Sequence, residues 1–219
     1  MKKILALILS ALMLLTVVAC GSAEDTTADT QTDASSDKAT DTEAPVVDET
    51  PKSDVALETI AKALADKYAE YTGVRDSYND YIASVESEED KMSYEDFVSF
   101  QIVTMAVEDF EYLMGLTEVP AGIGEAYLYQ PGMMGQAYIG YIFRLADGTD
   151  IEAFKTALKE KADLRWNICT SANTIICENY GDTVFFSMMV VADEENPFGF
   201  TAEQKDGFIK TFQDTVSAK

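Results

Sequence analysis

The 219-residue chain carries 39 Asp or Glu against 16 Lys or Arg, a formal net charge of −23 at pH 7, and it has no histidine. That balance argues against nucleic acid or an anionic lipid surface as the main partner, since both are held by positive charge. The missing imidazole removes Ser-His-Asp and Cys-His catalysis, together with the commonest zinc ligand.

Met1-Lys2-Lys3 makes a basic start, and Ile4 to Ala19 follows without a charge. This reads as a secretory signal over residues 1–19. It falls short of the roughly 20 apolar residues that a spanning helix needs. The run ends in Val17-Val18-Ala19-Cys20-Gly21-Ser22, which resembles the lipobox of bacterial lipoproteins. The resemblance implies a diacylglycerol on the Cys20 thiol and cleavage that makes Cys20 the first residue. It also implies residence at the extracytoplasmic face of the bacterial cell membrane. Two acyl chains anchor stably where one holds only marginally. An ordinary signal peptide with an incidental cysteine and an uncleaved anchor are the alternatives.

Residues 20–52 follow as a tether. From Gly21 to Lys52 there are nine Asp or Glu, two Lys and ten Ser or Thr, with Val46 and Val47 as the only larger apolar residues. Such a stretch buries too little apolar surface to offset its ordering entropy, so disorder is expected. A flexible coil of this length spans roughly 30 Å. Residues 53–219 remain as a single domain with 12 basic and 30 acidic residues, net −18. This length is enough for a sizeable core.

Within the domain, Ser53 after Pro51 is placed to cap a helix. Leu57, Ile60, Leu64, Tyr68 and Tyr71 then recur at helical spacing up to Gly73. Tyr78, Tyr81, Ile82 and Val85 make a weaker second helix that runs into an acidic loop at residues 86–90. Ser93 with Asp96 resembles a capping box. A third helix follows on Phe97, Phe100, Val103, Val107, Phe110 and Leu113, with β-branched residues near Thr104 that allow a break.

Past Pro120 the composition turns to Tyr, Ile and Phe. Strands are expected at 126–130, 137–146, 174–178 and 183–192. Between them, Asp150 caps a helix with Phe154, Leu158, Ala162 and Arg165, and Thr201 caps a last one with Phe208, Ile209, Phe212 and Val216. The expected class is α+β: N-terminal helices followed by ββαββα, a four-stranded, mostly antiparallel sheet with helices packed on one face.

Several residues invite a chemical reading. Cys169 and Cys177 remain once Cys20 is lipidated. They would either pair as a disulfide outside the cytoplasm or stay as two buried thiols. Asp147-Gly-Thr-Asp-Ile-Glu152 fails the spacing of an EF-hand loop and reads as a turn and an N-cap. Methionine suits adaptable contact surfaces, so the glycine-flanked Met133 and Met134, with Gln130, Tyr129 and Tyr138, form the candidate ligand or partner face. Tyr127 and Tyr141 could extend that face, and Trp166 reads as a core anchor. No P-loop, GxGxxG after a strand or HExxH occurs. No catalytic residue, cofactor or metal is therefore assigned.

The elements Tyr129-Gln-Pro-Gly-Met-Met134, Asp147-Gly148, the helix with Leu158, and Tyr180-Gly181-Asp182 running on to Met188 resemble a family of small lipoprotein domains of Gram-positive bacteria, a domain of unknown function. There, a Pro-Met-Met element precedes a strand, and a Gly-Asp-Tyr-Val-Phe-Phe-type strand lies near the end. The resemblance covers residues 120–192. Gly132 splits Pro131 from the methionines, and Thr183 stands where an aromatic is usual. The resemblance implies an anchored extracytoplasmic domain and transfers no catalytic residue. The expected function is a non-catalytic binding or interaction module at the cell envelope, with a protein, peptide or small-molecule partner. The alternatives are a small carboxylate- or metal-dependent envelope enzyme and a structural envelope component.

Overall fold

A computed structural model describes residues 52–132, 137–167 and 170–218. Residues 1–51, which hold the expected signal sequence, Cys20 and nearly all of the expected tether, lie outside the described residues, as do Met133, Met134 and Cys169. Over the described residues the chain is α+β, with five α-helices and a five-stranded antiparallel sheet. Helices α1 (Leu57–Tyr71), α2 (Val74–Ser84) and α3 (Tyr94–Gln101) come first. Strands β1 (Ile102–Val107), β2 (Ile123–Pro131) and β3 (Ile139–Leu145) follow. Then come α4 (Ile151–Lys161), β4 (Thr174–Tyr180), β5 (Thr183–Met189) and α5 (Ala202–Val216). The sheet order is β1-β2-β3-β5-β4.

The expected ββαββα unit is present as β2-β3-α4-β4-β5-α5, and β1 is added beside β2. This corrects the four-stranded expectation. The third helix stops at Gln101, and Ile102 to Val107 pair with Pro131 to Ala126 in unbroken register. Four of those six residues are β-branched, and the ladder to β2 outweighs a spacing that also fits a helix.

Local signals act as read elsewhere. The Ser93 hydroxyl accepts from Asp96 N, and the Asp150 carboxylate accepts from Ala153 N. Thr201 and Gln204 form a reciprocal capping box. Gly181 and Asp182 make a two-residue turn between the paired Tyr180 and Thr183, with Gly181 at the positive φ of 56° that tight hairpins require. Ser53 differs from expectation: Ala56 occupies the N-cap of α1, and the Ser53 hydroxyl instead donates to Val216 O at the end of α5, 2.7 Å away.

Helices cover both faces of the sheet, not one. Tyr129, Ile142, Ile176, Phe185 and Met189 pack under α1 and α5. Their neighbours Leu128, Tyr141, Phe143, Cys177, Val184, Phe186 and Met188 face the other way, under Phe154 and Leu158 of α4. The period-2 geometry of a strand produces this division. β5 is buried along its whole length, and β3 is buried apart from the half-buried Arg144. Tyr129 lies across from Gly140, where a Cβ would stand 2.2 Å from its ring, so the glycine makes room for the aromatic.

Candidate functional site

The described chain enters at one end of the sheet. Lys52 Nζ pairs with Asp147, just beyond β3, at 2.6 Å, and Ser53 is tied to the end of α5. β3 then runs away from the candidate face toward this end, about 23 Å over its seven residues. At the opposite end lie Pro131, Ala137, residues 170–173, residues 190–200 and the end of α1. The pairs Ile102↔Pro131, Ile139↔Met188 and Thr174↔Met189 gather them there.

Two cavities open at that far end. One, of about 490 Å³, is bordered by Tyr71, Thr72, Gln101, Pro131, Phe198 and Gln204. The other, of about 970 Å³, is bordered by Ala137, Arg165, Asn167, Thr170, Asn196 and Phe198. Phe198 contributes to both and is 90% exposed. Pro131, two residues before Met133, and Ala137, three residues after Met134, stand one in each cavity wall. The buried Thr170 hydroxyl has no hydrogen-bond partner among the described residues.

The sequence-derived contact residues divide. Gln130 is half-buried near the end of β2. Tyr129 and Tyr138 are buried, so they present no contact surface; they are core residues, which corrects their assignment to a ligand face. Their hydroxyls meet at 2.5 Å. The Tyr138 ring also sits 4.7 Å from Tyr68 and 5.5 Å from Phe208, centroid to centroid. Burial pushes both phenols well above their ordinary pKa of 10. Tyr141 lies on the other face and donates to Met114 O at 2.9 Å. The four tyrosines therefore do not form one aromatic platform. Trp166 is half-buried against the α4-side core.

Cys177 is buried beneath α4, its thiol 3.8 Å from Lys155 O, and burial pushes its pKa up to about 11. Such a thiol is a poor nucleophile. Asp147 and Gly148 form a turn and Asp150 caps α4, as expected from the sequence, and the ion pair of Asp147 with Lys52 is an addition to that reading.

A further groove, of about 670 Å³, lies between α1, α3 and β1 and had no distinguishing sequence motif. Asp66, Asp76 and Glu95 border it, and none of them has an ion-pair partner among the described residues. The Arg75 guanidinium lies 3.8 Å above the Tyr94 ring. Burial, and then the charge of Glu95, push the Asp66 carboxyl above the usual range, while Arg75 and Lys62 pull against them. Among the described residues no group of three or more Cys, Asp or Glu could hold a metal ion. No described helix is long and apolar enough to cross a membrane. The spacing of α1 did not announce the groove, because Asp66 falls between core residues that carry the helical signal. Phe198 had a weak signal: a large apolar residue between Pro197 and Gly199, in a polar loop.

Comparison of the chain with protein-family models, with curated proteins and with solved structures finds no match.

Proposed function

We propose that this is a lipid-anchored, non-catalytic binding module of the bacterial cell envelope, exposed on the extracytoplasmic side and held by Cys20. The observation that carries the reading is Phe198, standing between two cavities at the end of the sheet opposite Lys52. An exposed aromatic flanked by concave, hydroxyl- and amide-bearing walls suits a peptide or small-molecule ligand. Its position directs the ligand face away from the point where the tether joins the domain. Met133 and Met134, the contact residues expected from the sequence, follow Pro131 of one cavity wall by two and three positions in the chain.

Thermal unfolding against amino acids, peptides, sugars, cations and envelope fragments tests the reading. A ligand at a hundred times its Kd adds about 2.7 kcal/mol, which raises Tm by roughly 5–10 °C at this size. Phe198→Ala should abolish that shift. A shift that survives the substitution places the site elsewhere. Lipidation is tested separately, by intact mass of membrane-extracted protein with and without Cys20→Ala; an unmodified Cys20 thiol in the mature protein would refute it.

One observation favours an envelope enzyme as the second reading: Asp66, a carboxyl held toward its protonated form in a groove, as a general acid is. If turnover of an envelope substrate is found, Asp66→Asn should remove it. Full activity in that variant excludes Asp66 from the chemistry.

A further inference from the structure

The two edges of the sheet are not alike. At one edge, β4 carries Glu178, and its Asn179 accepts from Lys155 Nζ at 2.8 Å. At the other edge β1 reads Ile-Val-Thr-Met-Ala-Val, with no charge, no proline and no break in its register with β2. Exposed edges are ordinarily guarded by charge, proline or a bulge, because a row of unpaired N–H and C=O groups accepts another strand. Among the described residues β1 pairs only with β2, and no further backbone or side-chain hydrogen bond reaches Val103 to Val107. Met105 is 50% exposed beside this edge.

What flanks the edge distinguishes one kind of partner from others. Strand alternation sends Ile102 and Thr104 toward the α1 side, where both border a groove whose charged lining is Asp66, Glu70, Asp76 and Glu95 against Lys62 and Arg75. Among the described residues Asp66, Asp76 and Glu95 have no ion-pair partner, whereas Glu70 is paired with Lys67, Lys62 with Glu58, and Arg75 lies over the Tyr94 ring. Val103, Met105 and Val107 face the opposite side and present only apolar surface. Beyond the strand the chain continues as Glu108-Asp109-Phe110-Glu111. A strand laid along β1 would thus meet carboxylates with one set of alternate side chains and apolar groups with the other. A second copy of this domain fits poorly, since each brings a charge of −18 over residues 53–219.

We propose that β1 is a docking edge for an extended protein segment in which Lys or Arg alternates with apolar residues. The segment adds as a sixth strand, with its basic side chains in the groove beside Asp66 and Glu95. Main-chain hydrogen bonds supply affinity and the alternate side chains supply selectivity, as in β-strand addition generally. This site is separate from the Phe198 cavities and stands whether or not those take a ligand.

The test uses the full chain in detergent and a synthetic nonapeptide alternating lysine with valine. Titration should saturate, and amide exchange at Val103 to Val107 should slow at least tenfold when the peptide is bound. Asp66→Asn with Glu95→Gln should weaken binding about tenfold. A peptide N-methylated at alternate amides, on the face that would meet β1, should not bind. Replacing its lysines by glutamate should also abolish binding. Binding with unchanged exchange at β1 would mean that the peptide rests on the acidic tether or another carboxylate, and it would overturn the proposal. So would equal affinity for the N-methylated or glutamate peptide, or no binding at millimolar peptide. Phe198→Ala should leave this binding unaltered.

Discussion

The two faces of the sheet are filled by different means. Under α1 and α5 the core is aromatic and carries buried hydroxyls: Tyr68, Tyr129 and Tyr138 meet Phe185, Phe200, Phe208 and Phe212. Under α4 a single helix covers part of the face, and irregular chain closes the rest. That chain is held by backbone bonds from Thr117 N to Lys161 O, Asp163 N to Gly115 O and Ala172 N to Leu164 O, at 2.8–2.9 Å. A helix satisfies its own backbone and needs only an apolar stripe to settle on a sheet. Irregular chain must find partners for each amide it buries, so its arrangement depends on residues far apart in sequence. The first face is therefore built from long regular elements, and the second from crossed loops around α4.

Truncating one core residue on each face probes this contrast most strongly. Phe212 and Leu158 are both fully buried. Phe212→Ala should cost about 3–5 kcal/mol and Leu158→Ala about 2–5 kcal/mol. Because β3 and β5 contribute to both cores, each variant should still unfold in one transition, followed by circular dichroism and tyrosine fluorescence together. Two separated transitions for Leu158→Ala would mean that the loop-closed face opens by itself.

Small-to-large changes at two glycines come next. A methyl at Gly140 would stand 2.2 Å from the Tyr129 ring, and one at Gly207 would stand 1.9 Å from the Tyr71 hydroxyl. The Tyr129 ring is enclosed, whereas Tyr71 is half-buried at the α1–α5 contact and can swing away. Gly140→Ala should therefore cost about 3 kcal/mol. Gly207→Ala should cost less, since Ala also favours the helix by about 1 kcal/mol over Gly. Chemical denaturation of both variants gives the order, and an equal loss would mean that the Tyr71 ring is as confined as Tyr129.

Alkali should act mainly on the aromatic face. Burial raises Tyr68 from 10.0 to about 12 and raises Tyr129 and Tyr138 further; Tyr141 is the raised phenol of the other face. Above pH 10 the unfolded chain releases phenolic protons that the folded chain keeps. The unfolded state then binds fewer protons, and stability falls as pH rises. The contribution is fully present below pH 10 and is lost from there through about pH 12 for Tyr68, and at still higher pH for the others. Tyr138→Phe should flatten the decline. It should also cost about 1–3 kcal/mol at neutral pH, because the buried Tyr129 hydroxyl loses its tyrosine partner. Stability measured at pH 8 and pH 11 in both proteins checks this.

Much of the helix and turn punctuation was legible because it is local. The hydroxyl or carboxylate of Ser93, Asp150 and Thr201 meets an amide three residues on, and Gly181-Asp182 turns within two residues. The sheet edge was not legible. Phe97, Phe100, Val103 and Val107 fit a helix throughout, and only the ladder to residues 126–131 draws the second half into β1. Nor was coverage of both faces legible, since β3 and β5 are apolar at nearly every position and so lack the alternation that reveals a single buried face. Ser53 sits where a cap is expected, but its hydroxyl finds a carbonyl 163 residues away. The tyrosines of the candidate site looked like a surface because strand composition does not say which side is covered. Phe198 and the Asp66 groove become sites only through the way loops and helices meet.

The smallest expected change in stability belongs to Phe198, and that contrast separates binding from folding. A phenyl ring that is 90% exposed keeps most of its surface in water when the chain folds. Its loss should thus shift stability by no more than about 0.5 kcal/mol, as for surface positions generally. Phe200, two residues on, is buried against Tyr68 and Tyr138, with ring centroids 5.7 Å from each. Phe200→Ala should cost about 3–5 kcal/mol. The same substitution at neighbouring phenylalanines then gives opposite outcomes: at 200 the fold weakens, and at 198 the fold stands while ligand binding disappears. If Phe198→Ala destabilises the protein as much as Phe200→Ala, the ring is part of the core and the binding surface proposed around it is lost.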